Sequence, residues 1–301
     1  MKFAAIDIGS NAIRLLFCNV FEVNETVTYK KVSLIRVPLR LGADVFNEGE
    51  ISSKNSKLLL KTMFAFKNLI DVHEDVISYR ACATSAMRDA KNGSQLVAQI
   101  KELTDIQIEV VSGDKEADII SANHIEEHLD ADKNYLYIDV GGGSTELTFI
   151  ENKIIIASHS FNVGTIRLLQ NNGLTPMYEE MKRWIKQYVH PGEDGLQAIG
   201  SGGNINKIAG MIAKKEGKPI HIDDIISNYN FLKSYTYEER VRLLGLNEDR
   251  ADVIIPASEI FINVMHYAHI KKIVVPKIGV VDGIVHLLYE EHKQHLALTK
   301  T

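Results

Sequence analysis

The stretch Asp139-Val-Gly-Gly-Gly-Ser-Thr-Glu146 concentrates residue types that suit a polyanion. Three successive glycines, Gly141, Gly142 and Gly143, let backbone N–H groups converge on an anion with no side chain in the way. Ser144 and Thr145 add hydroxyl donors suited to phosphate oxygens. Asp139 closes one apolar run and Glu146 opens the next, so both carboxylates can border the turn. Hard oxygen ligands beside a phosphate cradle are what Mg²⁺ takes, with Mn²⁺ as the alternative. The bland counterpart is a glycine-rich hairpin whose acids face water.

An earlier stretch repeats the pattern. Phe3-Ala-Ala-Ile-Asp7-Ile-Gly-Ser10-Asn11-Ala-Ile-Arg14-Leu-Leu-Phe17 aligns without gaps on Tyr135-Leu-Tyr-Ile-Asp139 through Phe149, and Arg14 falls where Glu146 falls. The spacing is too long for a solenoid and fits a duplicated domain, the two copies expected to face each other across a cleft. A third glycine loop, Gly200-Ser-Gly202-Gly203-Asn204, follows an apolar run. Ile205 stands where a dinucleotide fingerprint needs its third glycine, and no Walker A sequence occurs. Phosphate binding therefore requires separated turns to meet. Thr84-Ser-Ala-Met-Arg88 puts hydroxyls and a cation just beyond a strand, which alone reads as a helix cap with a solvated arginine. Glu116, in Ser112-Gly-Asp-Lys-Glu116, alone reads as an acid complementing a helix dipole. His124-Ile-Glu-Glu127-His128 matches an inverted zinc-peptidase pattern, but a polar helix face explains it better.

The elements that must position these residues read as strands over 3–8, 13–21 and 27–37, a helix over 52–72 capped by Ser52 or Ser53, and a strand over 76–83. A helix over 93–103, a strand over 106–111 and a helix over 115–129 follow, then a second meander from Tyr135. Strands alternating with helices predict an α/β protein with layered sheets. At 301 residues the chain has room for about two domains, and its 45% hydrophobic and 24% charged content is that of a globular protein. A net charge of -5 excludes a general nucleic-acid binder, and no apolar run approaches a membrane span. The early carboxylate at Asp7 argues against a secretory leader, so the expected location is cytoplasmic, with Cys18 and Cys82 as buried reduced thiols.

Together these motifs resemble the exopolyphosphatase / guanosine pentaphosphate phosphohydrolase (Ppx/GppA) family along nearly the whole chain. The resemblance is carried by Ala5-Ile-Asp-Ile-Gly-Ser-Asn11, Ala83-Thr-Ser-Ala-Met-Arg-Asp-Ala-Lys-Asn92 and Ile108-Glu-Val-Val-Ser-Gly-Asp-Lys-Glu-Ala117. It continues in Ile138-Asp-Val-Gly-Gly-Gly-Ser-Thr-Glu-Leu147, Gly200-Ser-Gly-Gly203 and Arg250-Ala-Asp-Val-Ile-Ile-Pro256. It implies the actin-like ATPase superfold, two ribonuclease-H-like domains around a cleft. The expected division is residues 1–124, with the tail from about 287 to 301 packing back on that domain, and 125–286.

The resemblance further implies hydrolysis of a terminal phosphate from inorganic polyphosphate or guanosine pentaphosphate, as in the stringent response. Glu116 then matches a glutamate that activates water, and Asp139, Glu146 and Asp7 the metal-organising carboxylates. Ser10, Asn11, Arg14 and Arg88 match phosphate-handling groups, with Gly141, Gly142, Gly143, Ser144, Thr145, Gly202 and Gly203 as the cradle. Where relatives carry Arg-Glu-Gly, this chain has Val281-Asp-Gly283, which reads as the loss of a cleft arginine. That loss, the net charge and the absence of the C-terminal domains of longer relatives predict a preference for short chains. Two other readings stay open: a non-catalytic sensor of guanosine tetra- or pentaphosphate, and an ATP-dependent kinase of the same superfold. The one protein partner left open is a second copy of the chain, as a homodimer.

Overall fold

The computed structural model describes every residue except 25, 124–128, 131, 171–174, 213–217 and 300–301, and only the backbone at 175. The His124 to His128 motif lies outside the described residues. The chain divides into two compact units, one holding the residues up to Asn123 and those from Gly279 onward, the other the residues between.

The first unit opens with a meander, β1 (Lys2–Ile8), β2 (Ile13–Val23) and β3 (Thr26–Val37). Then come α1 (Leu41–Glu48), α2 (Ser53–Val72), β4 (Val76–Ala83), α3 (Ser85–Asp89), α4 (Gly93–Thr104), β5 (Ile108–Val110) and α5 (Gly113–Ser121). The sheet order is β3-β2-β1-β4-β5, antiparallel among the first three and parallel from β1 through β4 to β5. From Phe3 to Ile8, β1 is buried on both faces, as its unbroken apolar run requires, while no residue of β3 at the edge is fully buried. Leu59, Met63, Phe66 and Ile70 put an apolar stripe of α2 onto Ile6, Ile8 and Leu15. Ser52 caps that helix, its side chain accepting the Asn55 N–H at 3.2 Å.

Two expectations shift here. The helix carrying Glu116 starts at Gly113, because Ser112 caps it by accepting the Lys115 N–H, and it ends at Ser121. The unanticipated α1 is closed by Gly49 at φ 80°, a left-handed position that glycine fills without strain.

The second unit repeats the plan with β6 (Asn134–Val140), β7 (Thr145–Glu151), β8 (Ile154–Phe161), α6 (Thr165–Gln170), α7 (Thr175–Tyr188), β9 (Leu196–Ser201) and α8 (Gly203–Ile212). It continues with β10 (Ile220–His221), α9 (Ile222–Lys233), α10 (Tyr237–Arg242), α11 (Glu248–Ala251), α12 (Ile254–Tyr267) and β11 (Lys272–Val274). The order β10-β11-β9-β6-β7-β8 is that of the first sheet plus one added edge strand. Even the register shifts correspond, lying between Phe17 and Cys18 on β2 and between Phe149 and Ile150 on β7, aligned positions of the repeat. Both units are ribonuclease-H-like α/β domains. The core of the second packs Leu136, Ile138, Leu147, Ile205, Ile260 and Phe261 together.

The chain returns to the first unit at Gly279, ahead of the expected 287, and continues as α13 (Val280–Leu298). Val281, Ile284, Val285 and Leu288 cover the sheet face opposite α2, against Phe3, Ala5, Leu16 and Cys82. Both cysteines are free and buried there, and burial pushes the thiols up to about 11 at Cys18 and about 12 at Cys82.

Candidate active site

In the second unit, Asp139 at the end of β6 pairs in register with Glu146 at the start of β7 and with Ser201 at the end of β9. Both carboxylates are buried, Asp139 at 7% and Glu146 at 2% exposure, and Glu146 accepts a hydrogen bond from Ser160 Oγ at 2.8 Å. Two acids opposed across a strand pair repel each other, so the arrangement suits a bound divalent cation. Gly202 follows at φ 101°, and a Cβ there would stand 3.0 Å from Asp139 Oδ1, so only glycine lets β9 hand over to α8 this close to the carboxylate.

Between the two acids lies the triple-glycine turn, and its carbonyls are all engaged from behind. Gly141 O accepts from Thr165 N (3.0 Å), Gly142 O from Ile166 N (2.8 Å) and Arg167 N (3.2 Å), and Gly143 O from Arg167 Nε (3.0 Å). Gly164 makes this approach possible: a Cβ there would sit 2.4 Å from Gly143 C. The chain pattern around 164–167 carries one signal that reasoning from motifs passed over, a glycine soon after the third strand of each repeat. Its counterpart Gly42 donates its N–H to Ser10 O at 2.8 Å, and Arg40 N donates to Asn11 O at 2.9 Å.

In the first unit the same edge gathers a different set. Asp7 ends β1 and is buried, its Oδ2 2.6 Å from Arg14 Nη1, the residue opposite it on β2. Burial raises the Asp7 pKa, and the Arg14 guanidinium opposes that rise. Thr84 N donates to Ile8 O at 3.2 Å and Val111 N to Ala83 O at 2.9 Å, which aligns the carboxyl ends of β1, β4 and β5. Arg88 Nη1 donates to Val111 O at 3.0 Å, beside the Ser112 cap of α5. On that helix Glu116 is only 7% exposed, whereas its neighbours Asp114, Lys115 and Asp118 are exposed. An acid serving only the helix dipole would sit in water with them.

Other assignments change. Thr145 is turned inward, its hydroxyl donating to Val163 O at 2.5 Å, so it braces the loop instead of offering a donor to phosphate. The Ser10 hydroxyl is shared with Ser85 Oγ (2.8 Å) and accepts the Ala86 N–H (3.2 Å), locking the first turn to α3. Val281 is not the place of a lost substrate cation: it is 6% exposed inside the core of the first unit, where a guanidinium would be desolvated. Asp282 beside it caps its own helix by accepting the Gly279 N–H (2.9 Å) and pairs with Lys31 at 2.7 Å. Among the described residues no cluster of three or more histidine, cysteine or acidic side chains is placed to hold a metal, and no helix is long and apolar enough to cross a membrane.

The family model described as the Ppx/GppA phosphatase family matches residues 20–292. The chain belongs to that family. It is 31% identical over 289 residues to a bifunctional 3-dehydroquinate synthase/phosphatase of Fusobacterium nucleatum, covering 88% of this chain but only 43% of that protein. It is 24% identical over 311 residues to exopolyphosphatase 2 of Mycobacterium tuberculosis, covering 94% and 97% of the two chains. The crystal structure of an exopolyphosphatase from Cytophaga hutchinsonii superposes with a TM-score of 0.84 at 23% identity, over 97% of this chain and 98% of that one. As a Ppx/GppA member, the chain has the two actin-like domains of the family.

Proposed function

We propose that the chain hydrolyses a phosphoric anhydride, releasing the terminal phosphate of inorganic polyphosphate or of guanosine pentaphosphate. The carrying observation is the pair of buried carboxylates, Asp139 and Glu146, in register at the two ends of a glycine turn whose carbonyls are held from behind. Family membership and the names of the relatives, an exopolyphosphatase and a synthase/phosphatase, point the same way. Asp139 and Glu146 would hold Mg²⁺ or Mn²⁺, whose charge neutralises the phosphates when bound. The N–H groups of Gly142, Gly143 and Ser144 donate to phosphate oxygens. In such a reaction a carboxylate accepts a proton from the attacking water, the role that the family resemblance gives to Glu116, the bridging P–O bond breaks, and the shortened chain leaves with the electron pair. Glu116 burial favours this reading over a sensor, which has no need of a desolvated base.

Short chains or guanosine pentaphosphate should serve at least as well as long polyphosphate. The net charge is -5, and of the two assigned cations Arg14 is already held by Asp7. The test is phosphate release with tripolyphosphate, long polyphosphate, guanosine pentaphosphate and ATP in parallel, no acceptor being supplied. Release from at least one of the first three supports a hydrolase; turnover only when an acceptor is added would make the chain a kinase, and turnover of any kind would remove the sensor reading.

A further inference from the structure

The hydrogen bonds behind the glycine turn separate two kinds of anchor. Peptide planes in the described residues are all trans, so a carbonyl held on one side turns the N–H of the next residue to the other. The carbonyls of Gly141, Gly142 and Gly143 are held by residues 165–167, which turns the N–H groups of Gly142, Gly143 and Ser144 the opposite way. None of these three donates to another group among the described residues. Two of the planes are fixed by the backbone N–H groups of Thr165, Ile166 and Arg167, which no side-chain substitution removes. The third, Gly143 to Ser144, depends on the Arg167 side chain. In the first unit both corresponding anchors, Arg40 N and Gly42 N, are backbone.

We infer that Arg167 is a positioning residue for phosphate binding, acting through the Ser144 N–H, which it aims as the third donor of the cradle. The inference rests on the phosphate reading of the turn. The planar guanidinium offers Nε–H in a fixed direction, which a lysine ammonium cannot reproduce, so the contact depends on geometry and not on charge alone.

The test uses the full chain and Arg167→Met and Arg167→Lys variants whose melting is measured first. Amides are labelled with ¹⁵N, and imidodiphosphate with Mg²⁺ is the probe. In the unsubstituted chain the amides of Gly142, Gly143 and Ser144 should all shift on titration. In Arg167→Met the Ser144 response should vanish while the glycine responses persist, with affinity weaker by about tenfold, the scale of one hydrogen bond to a charged group. Arg167→Lys should recover less than half of that loss, and the variants should raise KM for tripolyphosphate far more than they lower kcat. An unchanged Ser144 response with affinity within twofold in Arg167→Met would overturn the inference and leave the phosphate reading intact. Full recovery by lysine would replace the aiming role with a charge. No response at any of the three amides in the unsubstituted chain would sink the phosphate reading itself, and the inference with it.

Discussion

In both units a central strand ends in a buried aspartate, and seven residues later a charged residue stands opposite it on the next strand. In the first unit that neighbour is Arg14, which closes an ion pair with Asp7 at 2.6 Å. In the second it is Glu146, so the same backbone position presents two acids. The first arrangement sets an acid against a cation. The second sets two acids side by side, which would suit a divalent cation, and it alone encloses three successive glycines. The duplicated scaffold thus supplies one geometry twice, with opposite charges at one position of the second strand. The first unit also carries Glu116 on α5, buried where the charged residues Asp114, Lys115 and Asp118 are exposed.

The most severe way to break this contrast is to give the second unit the first unit's solution. Glu146→Arg should close an ion pair with Asp139, abolish metal binding, and lower phosphate release by about 10³-fold or more while the fold survives. Glu116→Gln keeps size and burial but removes the proton acceptor. It should lower kcat by about 10²–10⁴ with KM nearly unchanged. Near-normal kcat would return Glu116 to a helix-dipole role.

The complementary experiment strips the first unit of its internal partner. Arg14→Met leaves Asp7 buried without its cation and should destabilise by about 2 kcal/mol, below the roughly 3–5 kcal/mol of a fully buried pair because Arg14 is partly exposed. The sign with pH follows from Asp7, whose folded pKa is already raised by burial and rises further without Arg14. A group raised in the fold binds its proton more tightly folded than unfolded, so the deficit should be full near pH 7 and shrink as pH falls through the folded pKa. Chemical denaturation of both proteins at pH 7 and pH 4.5 reads this directly, and a deficit independent of pH would detach Asp7 from it.

The smallest effect compares the two braces. Gly164→Ala pushes a methyl against the backbone of Gly143, whereas Gly42→Ala meets the Phe46 ring and the Ser10 Cβ. Gly164→Ala should weaken tripolyphosphate binding by about tenfold, since backbone cannot yield as a ring can, while Gly42→Ala should lower stability with KM unchanged. Equal effects on KM would mean that both turns touch substrate.

Much of this was legible in the sequence because its carriers are local. The apolar run, aspartate, glycine and second strand of each repeat lie within fifteen residues, and their alignment displays the duplication in the sequence itself. What escaped depends on where the chain returns. Arg167 and Gly164 matter only because the segment after β8 folds back beneath the turn. Thr145 matched a motif position and Val281 departed from one, yet the Thr145 hydroxyl is spoken for by Val163 and Val281 lies within a core completed by Phe3 and Leu16, far away in sequence. Motif position carries residue type, whereas side-chain direction comes from packing.

The central claim is that the second repeat, and not the first, is a metal-dependent phosphate site. Phosphate release from tripolyphosphate, followed in EDTA and then with Mg²⁺ or Mn²⁺ restored, tests it most directly in the unsubstituted chain and in Asp139→Asn. The account predicts no release in chelator, full recovery on adding metal, and a requirement for much higher metal concentration in Asp139→Asn. Undiminished turnover in EDTA, or a metal dependence unmoved by Asp139→Asn, would contradict it.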